Sequence, residues 1–170
     1  MKENRLNLTE SLEKAEALLS PWTDEFTHPD GHRLDAVVAA EDLVPAVTAL
    51  VEAHWGYLAA ITGIDRPAER DEDGVPQGED EIEAIYTFCW GPAIASLRVR
   101  VPYSNLMIPT VCDLIPSASF YERELMEMYG VVVENTPNPE RLMLPDIWPE
   151  GVYPLRKSFK GLQDPNPRGS

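Results

Sequence analysis

Apolar residues in NLTESLEKAEALLS recur at helical spacing, with Leu8, Leu12, Ala15 and Leu19 on one stripe. Asn7 followed by Glu10 is a capping-box start, and Ser20-Pro21 is a stop. Past the Pro29-Asp30-Gly31 turn, RLDAVVAA (33–40) reads as a short strand. The helical period returns in EDLVPAVTALVEAHW (41–55), where Leu43, Ala46, Val47, Leu50 and Val51 form the apolar face. Pro45 is tolerated there because it lies in the first turn. YLAAITGI (57–64) is a second strand. EIEAIYTFCW (81–90) and IASLRVRV (94–101) alternate apolar and polar residues around Gly91-Pro92, the pattern of a hairpin. A last helix starts at Ser119, whose spacing to Glu122 is a second capping box, and ends at Gly130. Tyr121, Leu125, Met128 and Tyr129 share one of its faces. This order predicts an α+β fold: a two-layer arrangement with helices on one face of a mixed sheet.

Two segments break the pattern. Residues 65–83 hold nine acids and two arginines among Pro67, Gly74, Pro76 and Gly78, and read as a solvated acidic loop. Residues 137–170 hold seven of the sixteen prolines, too many for a helix. They also carry Leu142, Met143, Leu144, Ile147, Trp148, Tyr153, Leu155 and Phe159, too many apolar residues for a loose tail. The division expected is an α+β body over 1–136 and an extended Pro-rich C-terminal strap over 137–170.

Charge sharpens that division. The 170 residues carry −15 at pH 7, yet residues 151–170 hold Arg156, Lys157, Lys160 and Arg168 against Asp164 alone. A basic, apolar strap hangs from an acidic body, and either folds back on that body or reaches another subunit. The expectation is that it lies along a large partner and orders fully only there. The acidic field disfavours nucleic acid and anionic lipid. No run of 18 apolar residues marks a membrane span, and the first residues have no secretory apolar core. Cys89 and Cys112, outside any CxxC, fit a reducing cytoplasm better than a disulfide scaffold.

The usual catalytic constellations are missing. His28 and His32 are separated by Pro-Asp-Gly, which prevents the helix that would align them as ligands, and zinc needs three or four ligands. His54 is placed to meet the dipole at the end of its helix. No glycine-rich loop follows a strand, so no nucleotide site is marked. YERELMEMYG, residues 121–130, is the exception. Glu124 and Glu127 lie one turn apart, and Arg123 can reach Glu127 at i,i+4. The segment reads as a carboxylate pair for acid–base work, as a capped helix with an ion-paired solvated edge, or as a docking surface of Met and Tyr beside Arg and Glu.

FYERELMEMYGV, followed by NPERLMLPDIWPEGVYPLRKSF, resembles the family of the 30-kDa (or C) subunit of respiratory complex I, the NADH–quinone oxidoreductase, and its relatives in energy-converting [NiFe] hydrogenases. The residues that carry the likeness are Glu122, Arg123, Glu124, Glu127, Met128, Tyr129 and Gly130, then Arg141, then Pro154 to Lys157. The resemblance implies an accessory subunit of the hydrophilic arm with no redox centre of its own. It implies no catalytic residue, cofactor or metal in this chain, with Fe-S clusters, and NiFe in the hydrogenase case, held by partners. Those partners are the large 49-kDa or [NiFe]-hydrogenase-like subunit and the small Fe-S cluster subunit, on the cytoplasmic side of the membrane. The docking residues expected from it are Glu122, Arg123, Glu124, Glu127, Arg141, Trp148, Tyr153, Pro154, Leu155, Arg156 and Lys157. The alternatives are the equivalent hydrogenase subunit and, from another class, a stand-alone soluble carboxylate enzyme.

Overall fold

The strongest alternation in the chain builds its central strand pair. β4 (Glu81–Trp90) and β5 (Ala93–Pro102) pair antiparallel along their whole length around Gly91. In the computed structural model, which describes residues 7–162, they lie at the centre of a five-stranded sheet. β2 (Arg33–Val37) runs parallel to β5, and β3 (Tyr57–Arg66) runs antiparallel to β4. A two-residue β1 (Phe26–Thr27) pairs antiparallel with β2, giving the order β1-β2-β5-β4-β3. The sheet is therefore mixed, and the fold is α+β.

One face of this sheet carries the core. Ile82, Ala84, Tyr86 and Phe88 of β4 alternate inward with Ala95, Leu97, Val99 and Val101 of β5, and all are buried. They meet α1 (Leu8–Leu19) through Leu12, Ala15 and Leu19, and α2 (Leu43–Glu52) through Leu43, Ala46, Val47 and Leu50. Each fully buried Leu or Phe contributes about 1.5–3 kcal/mol relative to exposure. Asn7 caps α1, accepting from the Thr9 N–H at 3.1 Å, while Glu10 makes no return bond among the described residues, so the capping box is only half formed. His54 falls beyond the end of α2, at φ 51°.

Past β5 the chain forms β6 (Met107–Pro109), α3 (Ala118–Tyr129) and β7 (Val132–Glu134). β6 and β7 pair parallel, so α3 is the crossover between them. Ala118, Leu125, Met128 and Tyr129 join the same core. After β7 the described residues contain no further helix or strand.

The acidic loop is shorter than its composition suggests. β3 runs on to Arg66 and β4 begins at Glu81, leaving residues 67–80 as the connection. Asp65 and Glu83, read as solvated loop acids, are buried strand residues instead. Partners far away in sequence supply their hydrogen bonds: Tyr103 for Asp65, and Arg66, Arg98 and Arg100 for Glu83.

Candidate functional site

The YERELMEMYG segment becomes α3, but its charged side chains do not do what their spacing predicts. The Ser119–Glu122 capping box does not form, and the helix starts one residue earlier, with Ser117 at the N-cap making no side-chain bond. Glu122 turns inward instead and is 0% exposed. It accepts from the Thr110 hydroxyl at 2.7 Å, the Val111 N–H at 2.8 Å and the Cys112 thiol at 3.1 Å. Three donors satisfy a buried carboxylate that has no cationic partner among the described residues. Glu122 therefore locks residues 110–112 onto α3, and it is too deep to meet a partner directly. Burial, helped by the neighbouring Glu122, pushes the Cys112 thiol up to about 11.

Arg123 and Glu127 do not pair with each other. Arg123 donates from Nε to the Glu140 carbonyl at 2.7 Å and from Nη2 to the Arg141 carbonyl at 2.6 Å. Glu127, one turn on, accepts from the N–H groups of Leu142 at 2.6 Å and Met143 at 2.9 Å. The two side chains thus grip four consecutive residues of the strap, two by their carbonyls and two by their amides. Charge-assisted bonds of this kind are about twice as strong as neutral ones. Because they address only backbone, they fix the path of the strap and leave its side chains available. Glu124 is half-buried and makes no side-chain hydrogen bond among the described residues.

Further along, the strap holds itself. Arg141 Nη1 donates to the Pro145 carbonyl at 2.9 Å and the Trp148 carbonyl at 3.1 Å. The Trp148 indole donates to the Val152 carbonyl at 2.8 Å and its ring lies 6.1 Å from that of Phe159. A cleft of about 400 Å³ lies between α3 and this loop, lined by Met126, Glu127, Arg141, Leu144, Trp148 and Tyr153.

The strap then returns to the body, contrary to the expectation that it needs a partner to lie on. Arg156 donates from Nε to the Tyr129 carbonyl at 2.7 Å, its guanidinium 4.5 Å from the centre of the Tyr103 ring and 4.3 Å from that of Tyr153. The Leu155 N–H donates to the Met128 carbonyl at 3.2 Å. The Lys157 N–H donates to Asp65 at 2.6 Å, and the other oxygen of Asp65 accepts from the Tyr103 hydroxyl at 2.7 Å. Burial and the bond to Asp65 push the Tyr103 phenol up to about 12. Gly130, at φ 73°, caps α3 and lets Tyr153 and Arg156 approach: a Cβ there would lie 2.4 Å from the Tyr153 ring. Pro154 is half-buried, and the Lys157 side chain is exposed. Asp164 and Arg168, counted in the charge of the strap, lie outside the described residues.

The tyrosines of the segment have a role that the sequence did not suggest. β3 is an edge strand, and edge strands leave backbone groups unpaired. The Tyr121 hydroxyl donates to the Ala59 carbonyl at 3.0 Å and the Tyr129 hydroxyl to the Gly63 carbonyl at 2.8 Å. Gly63 is required here, since a Cβ would sit 2.4 Å from the Tyr129 ring. A glycine inside an apolar strand was the available signal for such a close approach.

Outward from this scaffold the strap shows apolar side chains. Ile147 is 91% and Met143 62% exposed, with Leu155 and Leu142 exposed beside the anchored stretches. Among the described residues no group of three or more His, Cys, Asp or Glu is placed to hold a metal ion. No helix among them is long and apolar enough to cross a membrane.

A family model described as "Respiratory-chain NADH dehydrogenase, 30 Kd subunit" matches residues 36–165, from β2 through the strap. The chain belongs to this family. The 30 Kd subunit resemblance carried by α3 and the strap thus extends over most of the sheet as well. Among curated relatives, the membrane-bound hydrogenase subunit beta of Pyrococcus furiosus is 44% identical over 68 residues, 40% of this chain and 39% of that one. The C subunit of the F(420)H(2) dehydrogenase of Methanosarcina mazei is 32% identical over 111 residues, 64% of this chain and 63% of that one. The C/D subunit of the NADH-quinone oxidoreductase of Shewanella woodyi is 30% identical over 154 residues, 88% of this chain but 25% of that one. The chain therefore spans less than two thirds of the length of these relatives. Among solved structures, a trypsin-resistant fragment of Nqo5 superposes with a TM-score of 0.60 at 27% identity, covering 77% of this chain and 98% of that one. A chain of the archaeal membrane-bound sulfane sulfur reductase gives 0.58 at 24% identity, covering 90% and 87%, and shares the fold.

Proposed function

We propose that this 30 Kd-family protein is a cofactor-free docking element in the hydrophilic arm of a membrane-associated, complex I-like oxidoreductase. It works through its strap and performs no chemistry of its own. The observation that carries this reading is the grip of Arg123 and Glu127 on the strap backbone, with Ile147 and Met143 left pointing outward. A backbone clamp presenting solvated apolar side chains suits a surface completed by another protein. The partner proposed is the large 49-kDa-like subunit, with the small Fe-S cluster subunit beside it, peripheral to the cytoplasmic side of the membrane. A second reading places the chain in an energy-converting [NiFe] hydrogenase. What favours it is the 44% identity to the Pyrococcus furiosus hydrogenase subunit over 68 residues. Nickel in the purified complex separates the two.

The test is the pair Met143→Asp and Ile147→Asp in a tagged chain purified from its native host. Both side chains are exposed, so the free chain keeps its circular dichroism and thermal midpoint. The expected result is loss of the large subunit from the purified assembly. Full recovery of that subunit with both variants overturns the reading.

A further inference from the structure

We propose that the helix-free face of the five-stranded sheet is a second interaction surface, one that receives an acidic surface of a partner subunit on Arg33, Arg98 and Arg100. This face is the reverse of the core, and among the described residues no helix packs on it. Ile85, which lies on it, is buried yet stands apart from the single apolar cluster on the other side.

Alternation and register bring four arginines together here, Arg33 from β2, Arg98 and Arg100 from β5, and Arg66 from β3. They face Asp35, Glu81 and Glu83, which leaves the patch positive on a chain of net charge −15. Glu83, fully buried, is the hub. Arg66 Nε, Arg98 Nη1 and Arg100 Nε all donate to it, at 2.8, 3.1 and 3.2 Å, while Arg98 Nε also reaches Asp35 at 2.8 Å. Four guanidiniums against Asp35, Glu81 and Glu83 leave one positive charge uncompensated, and carboxylates from outside would relieve it.

The outer arginines have capacity left for that. Arg100 commits one N–H within the chain, and 39% of its side chain is exposed. Among the described residues Arg33 makes no side-chain hydrogen bond, and its nearest carboxylate oxygen, on Asp35, is 3.7 Å away. Three buried polar atoms around it lack hydrogen-bond partners: Arg33 Nε, Asp35 Oδ1 and Ser96 Oγ. Asp35 and Ser96 are register partners, so these atoms form one cluster rather than scattered defects. Ile64 is exposed on the same face, opposite Glu83 across the β3–β4 ladder. An exposed apolar side chain beside arginines is the composition of a protein interface. Arg33 and Arg100 lie six residues apart along the sheet, about 20 Å at strand rise, so the occupant is a continuous acidic surface and not a single carboxylate. Among the described residues the strap makes no hydrogen bond to these arginines, so the surface requires an assembly but not the partner proposed for the strap.

Phenylglyoxal modification of arginines in the free wild-type chain and in the native complex, quantified by peptide mass spectrometry, tests it. Arg33 and Arg100 should react in the free chain and be slowed at least fivefold in the complex, with Arg70 of the exposed acidic connection as the unprotected control. Carbodiimide treatment of the complex carrying Arg100→Lys should then join the introduced amine to an Asp or Glu of another subunit. Equal reactivity of Arg33 and Arg100 in both states overturns the proposal. So do cross-links confined to Glu83 and Asp35 of the same chain, or links formed only between two copies of it. Normal protection with Met143→Asp and Ile147→Asp still blocking assembly of the large subunit would uphold both surfaces. Loss of protection alone would sink only this one.

Discussion

Glu127→Ala removes the two acceptors that hold the N–H groups of Leu142 and Met143. A hydrogen bond to a charged group contributes about 1.5–3 kcal/mol. The strap amides lie near solvent and water can replace the lost oxygens, so the lower end applies, and the two together come to about 3 kcal/mol. At about 1.4 kcal/mol per factor of ten, that is roughly a hundredfold in the opening equilibrium of the clamp. The loss is local: residues 142–143 open while Arg123 still holds 140–141 and the β4–β5 pairing stays shut. Hydrogen exchange on the full chain reads this directly. The Leu142 and Met143 amides should exchange about a hundredfold faster, and the Val99 and Leu97 amides at their wild-type rate. Glu127→Gln keeps one oxygen acceptor and should fall between. Unchanged exchange at 142 and 143 would refute the clamp. Equal acceleration in β5 would mean that Glu127 supports the whole fold rather than the strap.

Gly130→Ala forces a Cβ into the Tyr153 ring from a backbone at φ 73°, so it should detach residues 153–157 and cost at least about 1–2 kcal/mol in left-handed strain alone, read as faster exchange at Leu155 and a lower thermal midpoint. Cys112 is buried and its thiol is pushed up to about 11, so iodoacetamide at pH 8 should label the half-buried Cys89 first and reach Cys112 only after unfolding, as mass spectrometry of the tryptic peptides will report. Burial alone would raise the Glu83 carboxyl, but the bonds from Arg66 and Arg100 and the charges of Arg66 and Arg98 outweigh it and hold it below its ordinary 4.5. A lowered carboxyl pKa stabilises the fold above the unfolded value and loses that contribution as pH falls through the folded one. The stability gap between wild type and Glu83→Gln in urea titrations should therefore be full at neutral pH and close as the pH drops below about 4.5.

Much of the scaffold was legible because its signals are local. Alternation placed β4 on its residues, Gly91 marked the hairpin, and Gly130 marked the end of α3. The motif that carries the family resemblance could be read without any structure. β1, β6 and β7 were missed because two or three residues cannot show a period. Glu122 was misread because capping-box spacing is a local preference, and three buried donors ten to twelve residues back offered it more. The Arg123–Glu127 pair gave way to strap backbone for the same reason: a surface ion pair is worth little beside bonds that fix a chain segment. Asp65 and Glu83 looked like loop acids by composition, yet the Lys157 amide that reaches Asp65 is 92 residues away. Contacts at that separation leave no trace in a window of sequence. The landing of the strap on its own body depends on them.

On the proposed reading, the strap is held by its own body so that its apolar side chains can be covered by another subunit. Hydrogen exchange across residues 138–160, in the free chain and in the complex purified from the native host, tests it most directly. The amides of Leu155 and Lys157 are expected to be protected already in the free chain, and those of residues 144–147 to gain protection only in the complex. Identical exchange at 144–147 in both states would contradict this reading.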